Sequence, residues 1–501
     1  MPEVAVHFGQ LHADEPTFRN PGVIRALNVI PRANSFGPMR ALTTISANAL
    51  ADRPLGSISA RDAAGNTFVY VGTAAVLYEN VNNTFTDESI AGGYSTAADD
   101  VWEFVVWNAN NRIIATNYGN EVQSMVIGGG AAGAFANMIT STNTPRGKHV
   151  GIVGRFVVLG FTNDETDGER PSRVWWSGIN DEADFTPSAA TQCDFEDLAS
   201  GGVVQKIVGG TEYGLIFQRD QVRTMRYVGP GNIFDVLPLN FAPGTPIPNS
   251  VIAYKGNVFY IAEDGFMALR GTEVQHIGTS RVDRFFWDQF DILDRRFISA
   301  AVDPVNKLVA WAFPGAGASS NLPNRILMCK YDELKWAEAQ IDTSLLLATE
   351  TQGYTLDSLD TVGTDIDNAT IFDESLDSDK WRGGAFRFAA FNQTNSLSFF
   401  TGATLGATIE TGDMMPEEGR NWQINGVRVA VDGGDARAAV AKRARLTDAV
   451  TYGPTSDMNV NGFCPLRSDG RYQRIRLSLS SSTSWSHVQG LSVDYVLRGL
   501  R

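Results

Sequence analysis

Short apolar runs recur along this chain at intervals of roughly 40 to 50 residues, and most are followed by a tight turn and a second run. Phe68-Val69-Tyr70-Val71, Ile113-Ile114-Ala115, Phe156-Val157-Val158-Leu159, Leu215-Ile216-Phe217, Val258-Phe259-Tyr260-Ile261 and Leu308-Val309-Ala310-Trp311 open the repeats. In one pair, Asn257-Val258-Phe259-Tyr260-Ile261 leads through Glu263-Asp264-Gly265 into Phe266-Met267-Ala268-Leu269. Clusters of Gly, Asn, Asp and Pro between the runs, with 49 glycines in all, are the punctuation of strands and turns. A four-stranded sheet cannot bury both of its faces alone. Sheets of this size stacked radially bury each other and leave only short edges, which is the logic of a β-propeller. The fold class read from the sequence is therefore all-β. It is a propeller of six or seven degenerate blades, with a set of unrelated sandwiches as the alternative.

Two stretches depart from the repeat. Over 282–297, apolar residues fall at Val282, Phe285, Phe286, Phe290, Leu293 and Phe297. Those intervals of three and four predict one peripheral helix, with Thr279 and Ser280 as candidate caps. Near the end, Val427-Arg428-Val429-Ala430-Val431, Arg474-Ile475-Arg476-Leu477-Ser478-Leu479 and Leu491-Ser492-Val493-Asp494-Tyr495 alternate with period two. A sheet with one polar face reads that way, which predicts a C-terminal antiparallel β-sandwich. The expected division is a propeller over 51–400, a sandwich over 401–501, and an N-terminal arm over 1–50 whose strands pack near the sandwich.

The chemistry-bearing residues are thin. Cys193, Cys329 and Cys464 lie too far apart for a disulfide framework or a zinc set, and they read as isolated thiols made in a reducing cytosol. His7, His12, His149, His276 and His487 are scattered. No apolar run is long enough for a membrane-crossing helix, and no secretory signal is expected at the N-terminus. Gly128-Gly129-Gly130-Ala131-Ala132-Gly133 has the glycine spacing of a dinucleotide loop. It lacks the acid about 20 residues on, and Pro145 ends any following helix, so it reads as a loop. Gly147-Lys148-His149 lacks the Ser or Thr of a phosphate loop. Asp365-Ile366-Asp367-Asn368 resembles a calcium loop, but Thr370 stands where the turn glycine belongs and Leu376 where the bidentate Glu belongs. No catalytic residue, metal or cofactor is expected.

Charge is the informative property. The net charge is −15, which argues against a general nucleic-acid binder. It is unevenly spread. Residues 164–197 hold ten acids against Arg170 and Arg173, and 357–379 hold eight acids and no base. Residues 420–501 carry 12 Lys and Arg against 6 acids. A channel lined with acids would repel the DNA backbone, with its negative charge every 1.7 Å or so of helix axis, and let a duplex slide without sticking. A basic C-terminal face, comprising Lys442, Arg443, Arg445, Arg471, Arg474 and Arg476, would match an acidic neighbour in an assembly.

Several stretches, taken in order, resemble one family. They are Arg173-Val174-Trp175-Trp176-Ser177-Gly178 followed by Asp184-Phe185-Thr186-Pro187-Ser188, then Gly214-Leu215-Ile216-Phe217-Gln218-Arg219 to Tyr227-Val228-Gly229-Pro230. Gly256-Asn257-Val258-Phe259-Tyr260-Ile261 with Asp264-Gly265 comes next, then His276-Ile277-Gly278. Tyr472-Gln473-Arg474-Ile475-Arg476-Leu477 and Gly490-Leu491-Ser492-Val493 close the series. The order is similar to that of the packaged-DNA stabilisation proteins of short-tailed bacteriophages, the tail hub or nozzle family, over about 150–310 and 400–501. The resemblance implies a propeller plus sandwich assembled as a homohexameric ring in the virion tail, made in the host cytoplasm and without a membrane anchor. Such a ring sits below the portal and its adaptor ring and continues the DNA channel. It holds the packaged genome until ejection, and meets tail spikes or fibres and a needle or plug. On that reading Asp164, Glu165, Asp167 and Glu169 are the first candidates to face the channel, with Asp365 and Asp367 second. The rival expectations are a virion-associated propeller that binds or cleaves host glycans and a monomeric scaffold propeller for protein partners.

Overall fold

The recurring hairpins close into a ring of seven four-stranded antiparallel sheets. The computed structural model describes residues 3–130, 134–351, 385–481 and 483–499. The first strands of the seven blades are Gly56–Arg61, Glu103–Trp107, Arg146–Val153, Val204–Val208, Ile252–Tyr254, Ser299–Asp303 and Leu345–Glu350. The strand of blade seven packs against those of blades six and one, which completes the circle. Closure is mixed in sequence. Thr43–Thr44, from near the N-terminus, pairs with Leu397–Phe399 as the outer strand of blade seven.

Each apolar run read from the sequence is the second strand of a blade. That strand has a neighbour on each side in its own sheet and a blade against each face. It is accordingly the most deeply buried, and all six residues of Leu308–Phe313 are enclosed. The space between blades is filled from both sides. Val69, Val71 and Phe85 of blade one meet Leu347, Ala389 and Phe391 of blade seven. Val153, Phe156 and Trp176 of blade three meet Ile216, Met225 and Phe234 of blade four. Full burial of one such side chain is worth about 1.5–3 kcal/mol. Packing is tight enough that Gly151 admits no larger residue, because a Cβ there would run into Ile207 of the next blade. Between blades five and six, Phe266 packs edge-on to Trp311 and Trp336, each at 4.9 Å. Both indole N–H groups donate to carbonyls, of Ser250 and Ile277.

The sandwich is continuous with the propeller. Val23–Leu27 pairs in parallel with Lys335–Ala339, the last strand of blade six, at Leu27 and Glu338. On its other side it pairs with Ala407–Thr411, and the sheet continues through Tyr472–Leu479, Ala436–Arg443 and Ser456–Asp457 to nine strands. The facing sheet holds Trp422–Gly433, Phe463–Gly470 and Trp485–Leu497, together with the N-terminal strands Glu3–His7, Val29–Pro31 and Phe36–Pro38. Val427, Cys464 and Val493 from one sheet and Val440, Ile475 and Leu477 from the other share a core with blades five to seven. The N-terminal segment thus serves both bodies, supplying strands to the sandwich and the closing strand of blade seven.

The helix expected over 282–297 is two short pieces, a helix at Asp283–Trp287 and a 3-10 turn at Ile292–Phe297. Val282, Phe286 and Phe290 are buried as the spacing implied, while Leu293 is 84% exposed. Neither Thr279 nor Ser280 caps the helix. Asp14, from the N-terminal arm, accepts from the N–H groups of Arg284 at 2.9 Å and Phe285 at 2.7 Å. Asp291 starts the second piece by accepting from Leu293 N–H at 2.9 Å. Local periodicity found the apolar face, and a cap 270 residues away in sequence set where the helix begins.

Candidate functional sites on the propeller and sandwich

The acids proposed for the channel sit on the hairpin between the second and third strands of blade three, Phe156–Asp164 and Gly168–Trp176. Register pairs Asn163 with Arg146, so the hairpin lies at the end of the ring where the first strands begin. Part of its charge is neutralised from within. Arg173 is buried and lies 3.4 Å from Asp164, 2.7 Å from Asp167 and 2.7 Å from Asp197. Hydrogen bonding from Arg173 holds the Asp197 carboxyl below its ordinary range. Asp164 does not face a channel. Its side chain is 1% exposed, and its Oδ1 accepts from the N–H groups of Thr166 and Asp167, which shapes the turn. Glu165 and Glu169 point to the surface, and Glu169 accepts from the Tyr118 hydroxyl at 2.6 Å. Asp365 and Asp367 lie outside the described residues.

The basic face divides in the same way. Arg443 and Arg474 do not face a partner, because both turn inward onto Asp413. Arg474 makes a two-pronged contact at 3.0 and 2.8 Å. Arg476 reaches Glu410 at 2.8 Å and stacks over Tyr452, whose hydroxyl donates to the same carboxylate. Lys442, Arg445 and Arg471 remain exposed. A cut at residue 420 made the sandwich look basic, since Glu410 and Asp413, the acids that complete the network, lie just upstream.

Sequence reading passed over the end of the propeller bore. Glu103, His149 and Lys206 sit on the first strands of blades two, three and four. Glu103 Oε1 lies 2.8 Å from both His149 Nδ1 and Lys206 Nζ. An ionised carboxylate only accepts, so Nδ1 is the protonated ring nitrogen. Burial pushes the Glu103 carboxyl up, but Lys206 and His149 outweigh burial and hold it down to about 2. The available signal was an ionisable residue between two aromatic ones, as in Trp102-Glu103-Phe104. The same end of the bore opens a cavity of about 170 Å3 that Arg53, Lys206, Arg296 and Phe297 help to line. A larger cleft of about 680 Å3 lies where the sandwich meets blades six and seven. Arg32, Arg40 and Arg387 reach it beside Phe386, Phe400 and Trp485. Gly128, of the glycine-rich loop, is docked on blade one, its N–H donating to the Tyr70 hydroxyl at 3.0 Å. Cys193, Cys329 and Cys464 are buried and unpaired, and burial raises all three thiols.

These features define a seven-bladed β-propeller built into a β-sandwich through one shared sheet. No protein-family model and no curated protein matches the chain. Among solved structures it is similar to PorZ, a bacterial surface component of the type-IX secretion system of Porphyromonas gingivalis. The TM-score there is 0.35 at 11% identity, over 62% of this chain and 35% of that one. It is also similar to the extracellular domain of the hybrid two component system BT4673 from B. thetaiotaomicron, with a TM-score of 0.37 at 9% identity. That likeness covers 58% of this chain and 38% of the other. The chain spans little more than a third of either protein's length, and these likenesses carry no functional argument.

Proposed function

We propose that the chain is a structural subunit of a tail nozzle ring in a short-tailed bacteriophage, and that it guides DNA and performs no catalysis. The observation that carries this reading is the hydrogen-bonded union of propeller and sandwich at Leu27 and Glu338, flanked by the sheet that continues to Ser456–Asp457. A ring subunit must pass load between neighbours without flexing at a linker, and a continuous sheet supplies that stiffness. The order of the sequence stretches from Arg173 to Val493 that resembles the family supports this reading. The paired acids and bases of blade three and the sandwich fit a scaffold whose charges mainly hold it together. Native mass measurement and negative-stain imaging of the purified chain test the proposal. Closed rings of identical copies are expected, and a strictly monomeric chain sinks it.

Glu165 and Glu169 are the acids on the blade-three hairpin left to act on DNA. In virions carrying Glu165→Gln with Glu169→Gln, ring assembly is expected to be unchanged and genome exit slower. Normal exit kinetics would remove the hairpin from the channel. The glycan-binding alternative draws on the cleft at the propeller–sandwich junction, whose volume lies within the usual range for small-molecule sites. Depolymerisation of host surface polysaccharide by the purified chain would favour it over the nozzle.

A further inference from the structure

The end of the propeller bore brings two arginines together on one aromatic ring. The guanidinium carbons of Arg53 and Arg296 lie 4.1 and 4.2 Å from the centre of the same Phe297 ring. The two charges are therefore no further apart than those distances added together. Both residues line one cavity of about 170 Å3. Among the described residues neither forms an ion pair, and the Arg53 guanidinium finds only the Asn321 carbonyl, at 3.5 Å. The other charges lining the cavity are spent on each other, Lys206 against Glu103. Asp294 is close enough to be felt by both arginines. It does not cancel their effect: burial first, and then Arg296, push the Arg53 guanidinium down to about 10. Like charges held together in a half-buried site are unfavourable by themselves, and an anion between them reverses the sign.

We propose that this end of the bore binds a small tetrahedral oxyanion, either free phosphate or the phosphate group of a small ester, between Arg53 and Arg296. Guanidinium presents its donors in a fixed planar fork that matches phosphate oxygens, and two forks facing one ion satisfy several of them. The cavity, of about 170 Å3, has room for a phosphate with some solvent. Phe297 fixes both side chains by cation–π contact, so little rotamer freedom is left to lose on binding. The site is independent of the ring reading, since it lies wholly within one chain.

Calorimetric titration of the full chain at low salt with inorganic phosphate, and separately with glycerol phosphate, tests it. One site per chain is expected. Affinity should fall about tenfold or more in Arg53→Gln and in Arg296→Gln, the loss of one charge-assisted contact, and less in Arg53→Lys. Arg219→Gln is the control, because Arg219 lies near Asp220 and Glu263 and does not line this cavity. It should bind as the parent chain does. Binding of free phosphate alone assigns the site to the inorganic ion, and tighter binding of glycerol phosphate assigns it to an ester. Absence of binding at millimolar concentrations of both, or equal loss in Arg219→Gln, overturns the proposal. Thermal unfolding of each variant shows that a lost signal is not a lost fold.

Discussion

Asp413→Ala is expected to lower the unfolding free energy by about 3–5 kcal/mol, the usual cost of removing one partner from a buried ionic group. Asp413 is 1% exposed at its side chain and receives Arg443, two contacts from Arg474, and the Thr17 hydroxyl at 2.7 Å. Removing the carboxylate leaves two guanidinium groups facing each other inside the sandwich. Its backbone N–H also donates to the Thr17 carbonyl at 2.6 Å, so the same residue holds the N-terminal arm. Urea unfolding measures the loss, and a change under about 1 kcal/mol would show that the network relaxes without it. Acid gives an independent test. Burial alone would raise this carboxyl, but Arg474, Thr17 and Arg443 hold it below its ordinary value. A depressed carboxyl contributes stability above its unfolded pKa. That contribution fades as pH falls through the folded value. The parent chain should therefore lose stability below about pH 4, and the variant should show a flatter acid limb.

The same network shows what was legible in the sequence and what was not. The repeat was legible because the second strand of a blade is enclosed on every side, and enclosure writes an apolar run such as Leu308-Val309-Ala310-Trp311. Six of the seven blades announced themselves in this way. The seventh did not. Its first two strands are separated by the long insert before Phe386–Phe391, and its outer strand, Thr43–Thr44, comes from the other end of the chain. The period-two runs of the sandwich were legible because one face of each strand meets a core. Which charges reach solvent was not legible, because that depends on partners brought in by register. Arg173 stands inside the acidic stretch as one of its two bases, yet it gathers Asp164, Asp167 and Asp197 around one guanidinium. Arg474 alternates with apolar residues, as an outward residue should, but Asp413, just past the end of Ala407–Thr411, receives it. A count of charges along a chain gives net charge. It does not distinguish a repelling surface from an internal ion pair.

Glu103→Gln is expected to destabilise the propeller by about 3 kcal/mol at neutral pH and to remove one acid transition from the stability profile. The argument rests on what the carboxylate joins. It links the first strands of blades two, three and four through His149 and Lys206. Its ordinary pKa is 4.5 and the fold holds it at about 2. A gap of that size corresponds to about 3 kcal/mol favouring the ionised, folded state. Because the folded value is the lower one, that stability is present above about pH 4.5 and disappears as pH falls towards 2. The glutamine variant has nothing to protonate, so its stability should vary less over that window, and its distance from the parent should shrink with acid. A structural defect unrelated to charge would keep the two profiles parallel. The second variant is Glu103→Gln combined with Lys206→Met, which removes the stranded ammonium and leaves an apolar stem of similar length. If charge pairing is the cause, the double variant is more stable than Glu103→Gln alone, and the coupling shows as non-additivity of about 1 kcal/mol or more in a double-mutant cycle. Additive losses would mean that Glu103 and Lys206 act separately, and that the blades are held at the bore by packing alone.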